Sequence, residues 1–504
     1  MDRLDDDTCY AAITRRDARF DGRFYTAVVT TGVFCRPSCP ARTPKSTNVR
    51  FYPHAATATE AGFRPCRRCR PELAPGHPEW NRRADLAGRA MALIDDGAVD
   101  RVGVTGLAAA LAVSERHLRR ELVATVGTGP LQLARTRRLW LARLLLDQTD
   151  LPITDVAFAS GFGSVRQFND SMRRTFGEAP STLRRRPAPR RADRTITLSL
   201  PSRGALRWPG LHTFLSTRAI PGLEAATEAG VRRNVPGGWL ELSGPDTGGR
   251  ALRLRCSLDR LADLTELVPI VRRVADLDTD LEPIEHRFEA DPLLAARLAR
   301  TELGRLPGAF DRFEIAVRAI VGQQISVAGA RTLLGRLLVM TRNPVSVPAT
   351  DDDDDGGARP PSIDRFPSPE TLAAHPLDGL GMPARRRATI RALARAVADG
   401  TILLDAGADP ERTRAQLLDV GGIGPWTAGY ITMRSLSDPD GWPVGDLGLR
   451  RSLAVSAAQL EASAEQWRPW RAYAALFLWQ SDPTQNPPPI ATASPRSTTS
   501  GAPT

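Results

Sequence analysis

Lysine is almost missing from this chain of 504 residues, in which Lys45 is the only one. Arginine carries the positive charge, and 68 Lys and Arg against 57 Asp and Glu give a formal net charge of +11. A Schiff base formed by a lysine amine is therefore excluded from the C-terminal half of the chain. The positive excess favours a polyanionic partner, although composition alone leaves ribosomal, membrane-surface and DNA partners open.

Long apolar runs are also missing. No stretch approaches the roughly 18 apolar residues that a membrane-spanning helix needs, and the start, MDRLDDDTCY, is acidic. We therefore expect a cytoplasmic protein with no membrane partner. Cysteine is scarce as well, and none follows Cys256, so the C-terminal half cannot hold a cysteine-ligated iron–sulfur cluster. The length predicts about three or four domains.

The cysteines that are present are grouped. Cys35-Arg-Pro-Ser-Cys39 and Cys66-Arg-Arg-Cys69 are two short-spaced pairs, and this spacing predicts a closed zinc site of four cysteines. Four thiolates around one divalent ion leave a net charge of about −2, so at least one sulfur should be nucleophilic. A purely structural zinc module is the alternative.

The stretch DGRFYTAVVTTGVFCRPSC, continued by AGFRPCRRCRPE, resembles the N-terminal domain of Ada-type adaptive-response regulators. The resemblance assigns residues 1–78 to a zinc domain and implies that Cys35 irreversibly accepts a methyl group from methyl phosphotriesters in DNA. Methylation would remove one negative charge and act as a damage switch. Four neighbouring arginines would contact phosphate or form a solvated basic rim: Arg36, Arg67, Arg68 and Arg70.

Residues 84–186 contain two units of one plan: a short helix, a turn, and a basic helix whose N-cap is Ser114 in the first unit and Ser164 in the second. With its A-x-x-x-G-F and F-G-x-x-P-S frame, the region resembles the AraC-type double helix-turn-helix domain, which implies double-stranded DNA and, as a candidate partner, RNA polymerase. An ordinary helical bundle is the alternative. The residues expected to face the DNA groove are Arg116, His117, Arg119, Arg166, Gln167 and Asn169.

Residues 184–194 are predicted to be a basic linker, and 195–282 to be a small β-rich domain, because TITLSLP, WLELSG and ALRLRCSL alternate as strands do. Cys256 lies in such a strand and is expected to be buried without a chemical role. The acidic run Asp351–Asp355 and residues 481–504 are predicted to be disordered.

In LLDVGGIGPWTAGY the pattern predicts a helix that ends near Leu418, a glycine turn, and a new helix at Pro425. Such a helix-hairpin-helix can hold a phosphate with backbone N–H groups, without base readout, although glycines also occur in turns for steric reasons alone. Trp426 and Tyr430 lie four residues apart and share a helix face, and Asp446 follows a Pro/Gly-rich loop.

This pattern resembles the helix-hairpin-helix DNA glycosylases, and GIGPWTAGY with Trp479 in AALFLWQ is similar to the 3-methyladenine DNA glycosylase II group. The resemblance assigns 195–282 and 283–480 to glycosylase domains and Asp446 to catalysis. Trp426 stands where strand-cutting relatives have lysine, which implies a monofunctional enzyme. Gly445 stands where relatives carry a second acid.

The same resemblance implies further site residues. The base pocket would be formed by Trp426, Tyr430 and Trp479 and closed by Phe214, with plain core packing as the alternative for the aromatic residues. Gln324 matches the position that enters the duplex. Gly422 and Gly424 would contact DNA, and the carbonyls of the hairpin are candidate ligands of a monovalent cation: Leu418, Val420 and Ile423.

The expected fold class is multidomain and mainly α with α+β parts. The expected function is DNA alkylation repair, with a glycosylase that hydrolyses the N-glycosidic bond of 3-methyladenine and other alkylated bases, fused to a methyl-accepting transcriptional regulator. The alternative is an alkylation-responsive activator whose glycosylase half is an inactive DNA clamp.

Overall fold

A computed structural model describes residues 5–17, 20–69, 71, 86–184, 195–245, 249–298, 303–341, 363 and 365–479. Arg70, residues 185–194 of the predicted linker, the acidic run and the predicted disordered tail lie outside the described residues. Within the described residues, no helix combines the length and the apolar character that crossing a bilayer requires.

The first region is a small sheet with two helices. Its four strands have the order β3-β1-β2-β4, and only β2 and β4 run parallel. Its core is small, because few apolar side chains such as Phe34 and Phe63 are buried there. The elements are α1 (Asp6–Arg15), β1 (Tyr25–Val28), β2 (Val33–Cys35), β3 (Val49–Tyr52), α2 (Ala55–Glu60) and β4 (Arg64–Pro65).

The second region is helical and has the two predicted units. The Ser114 and Ser164 side chains accept hydrogen bonds from the backbone N–H groups of His117 and Gln167, both at 3.2 Å, and so start the second helix of each unit. The helices are α3 (Leu86–Asp95), α4 (Ala98–Ala110), α5 (Glu115–Val126), α6 (Pro130–Gln148), α7 (Ile153–Ala159), α8 (Val165–Phe176) and α9 (Pro180–Leu183).

The third region is a five-stranded antiparallel sheet of order β5-β9-β8-β7-β6. Buried residues alternate along its longest strand, and Cys256 is fully buried there, as expected. The elements are β5 (Ile196–Pro201), α10 (Trp208–Thr217), β6 (Glu224–Ala226), β7 (Gly230–Val235), β8 (Gly238–Ser243), β9 (Ala251–Leu258) and α11 (Leu264–Val274).

The fourth region is helical and has two cores. The helix that follows the hairpin lies between them, because Tyr430 packs against both cores. The helices are α12 (Glu282–Glu289), α13 (Pro292–Leu298), α14 (Arg312–Val321), α15 (Val327–Met340), α16 (Pro369–Ala374), α17 (Ala384–Ala398), α18 (Pro410–Leu418), α19 (Pro425–Ser435), α20 (Leu447–Leu453), α21 (Ala457–Gln466) and α22 (Arg471–Trp479).

The regions contact one another closely. One hydrophobic core runs from the second helix-turn-helix unit into the five-stranded sheet. Asp96, just after α3, accepts hydrogen bonds from Arg273 at 2.7 Å and from Arg312 at 3.0 Å. His54 of the first region stacks on Trp140 of α6, with ring centroids 6.1 Å apart. The first two regions are therefore packed onto the last two rather than separate from them.

Candidate zinc centre and active site

The four predicted zinc ligands lie together. Cys35 ends β2, Cys39 follows a turn, and Cys66 and Cys69 follow β4, so that all four sulfur atoms lie within 4.8 Å of one another. A tetrahedral zinc–thiolate site with Zn–S bonds of about 2.3 Å places its sulfur atoms roughly 3.8 Å apart, so the donor set fits zinc. Because the four thiols hydrogen-bond with one another, the pKa of Cys39 is lowered to about 7 and that of Cys66 is lowered, whereas those of Cys35 and Cys69 are raised. Zinc binds thiolates, so metal binding would release the protons that the cluster holds.

The predicted phosphate-binding arginines of the first region have different surroundings. The Arg36 guanidinium lies 3.4 Å from the Asp21 carboxylate, which also accepts hydrogen bonds from Ser38. Arg67 forms an ion pair with Glu178, beyond α8, and Arg68 is exposed. Two of these three arginines are thus already paired with carboxylates.

The predicted groove-facing residues lie on α5 and α8, the second helices of the two units. Arg116, Arg119, Arg166 and Gln167 are exposed. His117 and Asn169 are half-buried, and the His117 ring lies 2.9 Å from the Arg120 guanidinium. Both helices therefore present polar side chains to solvent.

The hairpin between α18 and α19 has a turn that requires glycine. Gly422 has φ of +95°, and a Cβ there would lie 2.1 Å from the Thr389 hydroxyl, so the turn needs glycine at this position. Gly424 is the N-cap of α19. Of the candidate cation ligands, the Val420 carbonyl accepts a hydrogen bond from the N–H of Ile423 at 3.0 Å, and Leu418 is exposed.

The predicted aromatic residues line one cavity of about 1030 Å³. The Trp426 and Tyr430 rings stack with centroids 5.2 Å apart and an interplanar angle of 10°. Trp479 lies 6.1 Å from Tyr430, with its ring tilted by 54°, and Phe214 is buried in the cavity wall. Because Tyr430 covers one face of Trp426, the other face of Trp426 and the Trp479 ring are candidate surfaces for stacking a base.

Asp446 lies in the wall of the same cavity and is only 4% exposed. One carboxylate oxygen accepts a hydrogen bond from the Leu449 N–H at 2.7 Å, which caps α20. The other accepts a hydrogen bond from Trp426 Nε1 at 2.6 Å. Both carboxylate oxygens are therefore held in place by hydrogen-bond donors.

The loop before Asp446 is held by a residue that sequence reasoning missed. The Glu461 carboxylate accepts hydrogen bonds from the Gly445 N–H and from Trp442 Nε1, both at 2.9 Å. Gly445 has φ of +74°, a conformation that glycine adopts without strain. Glu461 lies on α21, and nothing in its sequence neighbourhood signals this contact.

Gln324 lies at the mouth of the cavity, exposed and with φ of +62°, which is strained for a residue other than glycine. Exposed apolar side chains line the same cavity: Ile325, the next residue in the chain, is 37% exposed, and Leu447 is 59% exposed. The glutamine at the predicted insertion position therefore shares the cavity lining with apolar side chains that can pack against a duplex.

Two arginines that line the cavity were also missed: Arg434, which is buried, and Arg218, which is half-buried. Arg434 continues the stripe of Trp426 and Tyr430 at a spacing of four residues, which is the signal that could have found it. Its Nη1 donates to the Tyr430 hydroxyl at 2.9 Å and its Nε to the Pro307 carbonyl at 2.6 Å. Arg218 lies over Phe214, and burial lowers the pKa of Arg218 to about 10 and also lowers that of Arg434.

A network of four buried charges supports this wall. Glu224 and Glu314 each pair with both Arg233 and Arg318, and thereby join the sheet to α14. Burial opposes ionisation of Glu224, but the two guanidiniums hold its pKa at about 2. The cavity wall is thus rigidly connected to the sheet.

Comparison with known proteins gives consistent matches along the chain. Three family models match: the metal binding domain of Ada at residues 8–72, a helix-turn-helix domain at 107–186, and the AlkA N-terminal domain at 197–311. "Probable bifunctional transcriptional activator/DNA repair enzyme AlkA" of Mycobacterium tuberculosis is 45% identical over 492 residues, which cover 94% of this chain and 96% of that protein.

Two Escherichia coli proteins match separate parts. "DNA-3-methyladenine glycosylase 2" is 30% identical over 291 residues, 55% of this chain and 94% of that protein. "Bifunctional transcriptional activator/DNA repair enzyme Ada" is 41% identical over 142 residues, 28% of this chain and 38% of that protein. The predicted fold class, the resemblance to both families and the single four-cysteine zinc site are confirmed. The domain boundaries and the roles of individual residues stay predictions.

Proposed function

The chain belongs to the family of bifunctional transcriptional activator/DNA repair enzymes of the AlkA type, and from this premise we propose how its residues divide the work. The two repair reactions take place at separate sites. The cavity around Asp446 releases alkylated bases, 3-methyladenine among them, and Cys35 accepts methyl groups from DNA. The observation that carries the proposal is the Asp446 carboxylate, which two donors hold in the wall of an aromatic cavity large enough for a base.

Base release needs little covalent chemistry from the protein. A methylated purine with a fixed positive charge leaves its sugar readily, so the main task is to stabilise the oxocarbenium-like cation that remains. The ionised Asp446 does so electrostatically and orients the attacking water. Trp426 and Trp479 stack on the flipped base, and each contact contributes about 0.5–2 kcal/mol.

The hairpin and its neighbours hold the DNA during this reaction. The N–H groups at the start of α19, around Gly422 and Gly424, bind a phosphate at the positive end of the helix dipole. The carbonyls of Leu418, Val420 and Ile423 are the candidate ligands of a bridging monovalent cation. Gln324, with Ile325 next to it in the chain, fills the space in the duplex that the flipped base leaves.

Methyl transfer at the first site consumes the acceptor. The Cys35 sulfur attacks the methyl carbon of a phosphotriester, a C–S bond forms, the C–O bond breaks, and the phosphodiester leaves as an anion. Zinc, held by Cys35, Cys39, Cys66 and Cys69, keeps the thiols deprotonated when bound. The product thioether has one negative charge fewer, so phosphates are repelled less and DNA binding strengthens.

The helices α5 and α8 then read promoter DNA in adjacent major grooves. Their candidate contact residues, Arg116, His117, Arg119, Arg166, Gln167 and Asn169, are exposed or half-buried on those helices. Basic phosphate contacts beside the zinc site, from Arg36, Arg67 and Arg68, require that the DNA displace Asp21 and Glu178. RNA polymerase is the partner proposed for the activated regulator.

The experiment that tests the proposal follows products. Purified protein is incubated with methylated duplex DNA, released bases are separated by chromatography, and strand breaks are counted before and after alkali. We expect release of 3-methyladenine, breaks only after alkali, and a mass increase of one methyl group on Cys35. Base release equal to a protein-free control would overturn the glycosylase assignment and favour an inactive clamp.

A further inference from the structure

The cavity that would hold the flipped base has a positively charged wall. The Arg218 and Arg434 guanidiniums lie 3.9 and 4.7 Å from the centroid of the Phe214 ring. Both side chains line the cavity, and Arg434 is 4% exposed. Buried guanidiniums are costly unless something in the site uses their charge or their donors.

The acids of the same wall do not compensate this charge. Glu224 and Glu314 are each engaged with Arg233 and Arg318. Among the described residues, no carboxylate lies within ion-pair distance of Arg218 or Arg434. The stacked rings of Trp426 and Tyr430 separate Arg434 from Asp446. The cavity is therefore positive around Phe214, and Asp446 is the only acid without an ion-pair partner among the described residues that line it.

The wall also presents donors rather than acceptors. Arg434 uses Nε and Nη1 in the hydrogen bonds given above, and its Nη2 makes none within the described part of the chain. The Phe214 ring already contacts two guanidiniums, which reduces its attraction for a further cation.

We propose that Arg218 and Arg434 are specificity-determining residues, which favour uncharged bases with an exocyclic oxygen over methylpurines that carry a fixed positive charge. This rests on the proposed function, because the cavity must hold a flipped base. A cationic base gains from the aromatic rings but is repelled by the guanidiniums, whereas an oxygen acceptor on a neutral base gains hydrogen bonds. Cationic bases are still released, because their glycosidic bond is weak.

The experiment compares two duplexes of one sequence, one with a single 7-methylguanine and one with a single hypoxanthine. Single-turnover release rates are measured for the wild type, Arg434→Gln, Arg434→Lys and Arg218→Met. Because removing a unit charge a few ångströms away changes a partly screened interaction considerably, we expect Arg434→Gln and Arg218→Met to raise the ratio of 7-methylguanine to hypoxanthine release by about tenfold. Arg434→Lys, which keeps the charge, should stay within about threefold of the wild-type ratio.

Arg385→Met is the matched control, because Arg385 is exposed at the mouth of the cavity and should affect both duplexes equally. If Arg434→Gln does not fold, Arg218→Met and Arg434→Lys are used for the test. An unchanged ratio of 7-methylguanine to hypoxanthine release in Arg218→Met overturns the proposal. If the wild type releases neither base faster than Asp446→Asn does, the proposed function itself fails. If it releases both and the ratio is the same in every folded variant, only the role of the two arginines is contradicted.

Discussion

The zinc centre and the base cavity are built in opposite ways. The zinc centre takes its four ligands from one short segment, between Cys35 and Cys69, in a region with a small core. The cavity gathers Phe214, Tyr430 and Trp479 from three distant helices and depends on two large cores and a sheet. The first site should therefore fail all at once when a ligand is lost, whereas the second should lose activity in steps.

The largest expected effect is the loss of a zinc ligand that is not the methyl acceptor. Cys69→Ala should abolish zinc binding and methyl uptake, because structural zinc contributes on the order of 10 kcal/mol to folding of small domains. Base release should stay within about twofold. Zinc content and both activities are measured in one preparation. Cys256→Ala, in the sheet core, is the control and should keep its zinc. Retention of zinc by Cys69→Ala would contradict the expectation that the zinc centre fails when one ligand is lost.

The second largest effect should come from the donor to Asp446. Trp426→Phe keeps the ring that stacks on Tyr430 but removes the hydrogen bond to the carboxylate. A hydrogen bond to a charged group contributes about 1.5–3 kcal/mol, so we expect release of 3-methyladenine to slow by roughly 10- to 100-fold. Single-turnover rates measure this, and methyl uptake by Cys35 should not change. Tyr430→Phe keeps both rings and should have a smaller effect. Equal losses of rate in Trp426→Phe and Tyr430→Phe would contradict the role of the hydrogen bond from Trp426 to Asp446.

A smaller effect is expected at Glu461, which acts on Asp446 only through the loop. Glu461→Gln can still accept one of the hydrogen bonds from Gly445 and Trp442, so base release should fall by about three- to tenfold. The decrease should appear in the single-turnover rate and not in the affinity for DNA that contains an abasic site. A loss of affinity with an unchanged rate would show that Glu461 serves DNA binding instead.

The smallest predicted effect is on the pH dependence of stability, and it arises in the first region of the chain. Burial lowers the pKa of His54 to about 4, from an ordinary value near 6.5. Because the unfolded chain then binds more protons, the stability due to neutral His54 is complete above pH of about 6.5 and is lost as pH falls towards 4. His54→Asn, which can still accept from Ala56, should lessen the destabilisation at pH of about 5 by roughly 1–2 kcal/mol.

Thermal unfolding at two pH values measures this difference. His286→Asn, at an exposed histidine on α12, is the matched control for replacing a histidine by asparagine. If His54→Asn and the wild type lose the same stability between the two pH values, His54 is not the acid-sensitive group.

The same contrast explains how much the sequence could predict. The cysteine spacing identified all four ligands, because a metal needs a fixed set of atom types at short separations. The spacing of four residues predicted that Trp426 and Tyr430 share a helix face, and the resemblance to the helix-hairpin-helix glycosylases pointed to Asp446. Glu461 was missed because its contacts with Gly445 and Trp442 cross the chain, and no local pattern records such contacts.

Arg218 and Arg434 were missed for a different reason. A buried arginine looks like any surface arginine in a chain that carries its positive charge almost entirely on arginine. Arg218 lies four residues after Phe214 at the end of α10, whereas only tertiary packing places Arg434 of α19 on the same ring. Likewise, the ion pairs of Asp96 with Arg273 and Arg312 could not be predicted, because they join regions that the sequence presents as separate domains.

The most direct test of the account is the single-turnover rate of 3-methyladenine release by Asp446→Asn. Asparagine keeps an oxygen that can cap α20, so the fold and methyl uptake by Cys35 should persist, and both are measured alongside. The account predicts that the rate falls by about 100-fold or more, as expected when the charge that stabilises the sugar cation is removed. A rate within about threefold of the wild type would contradict it.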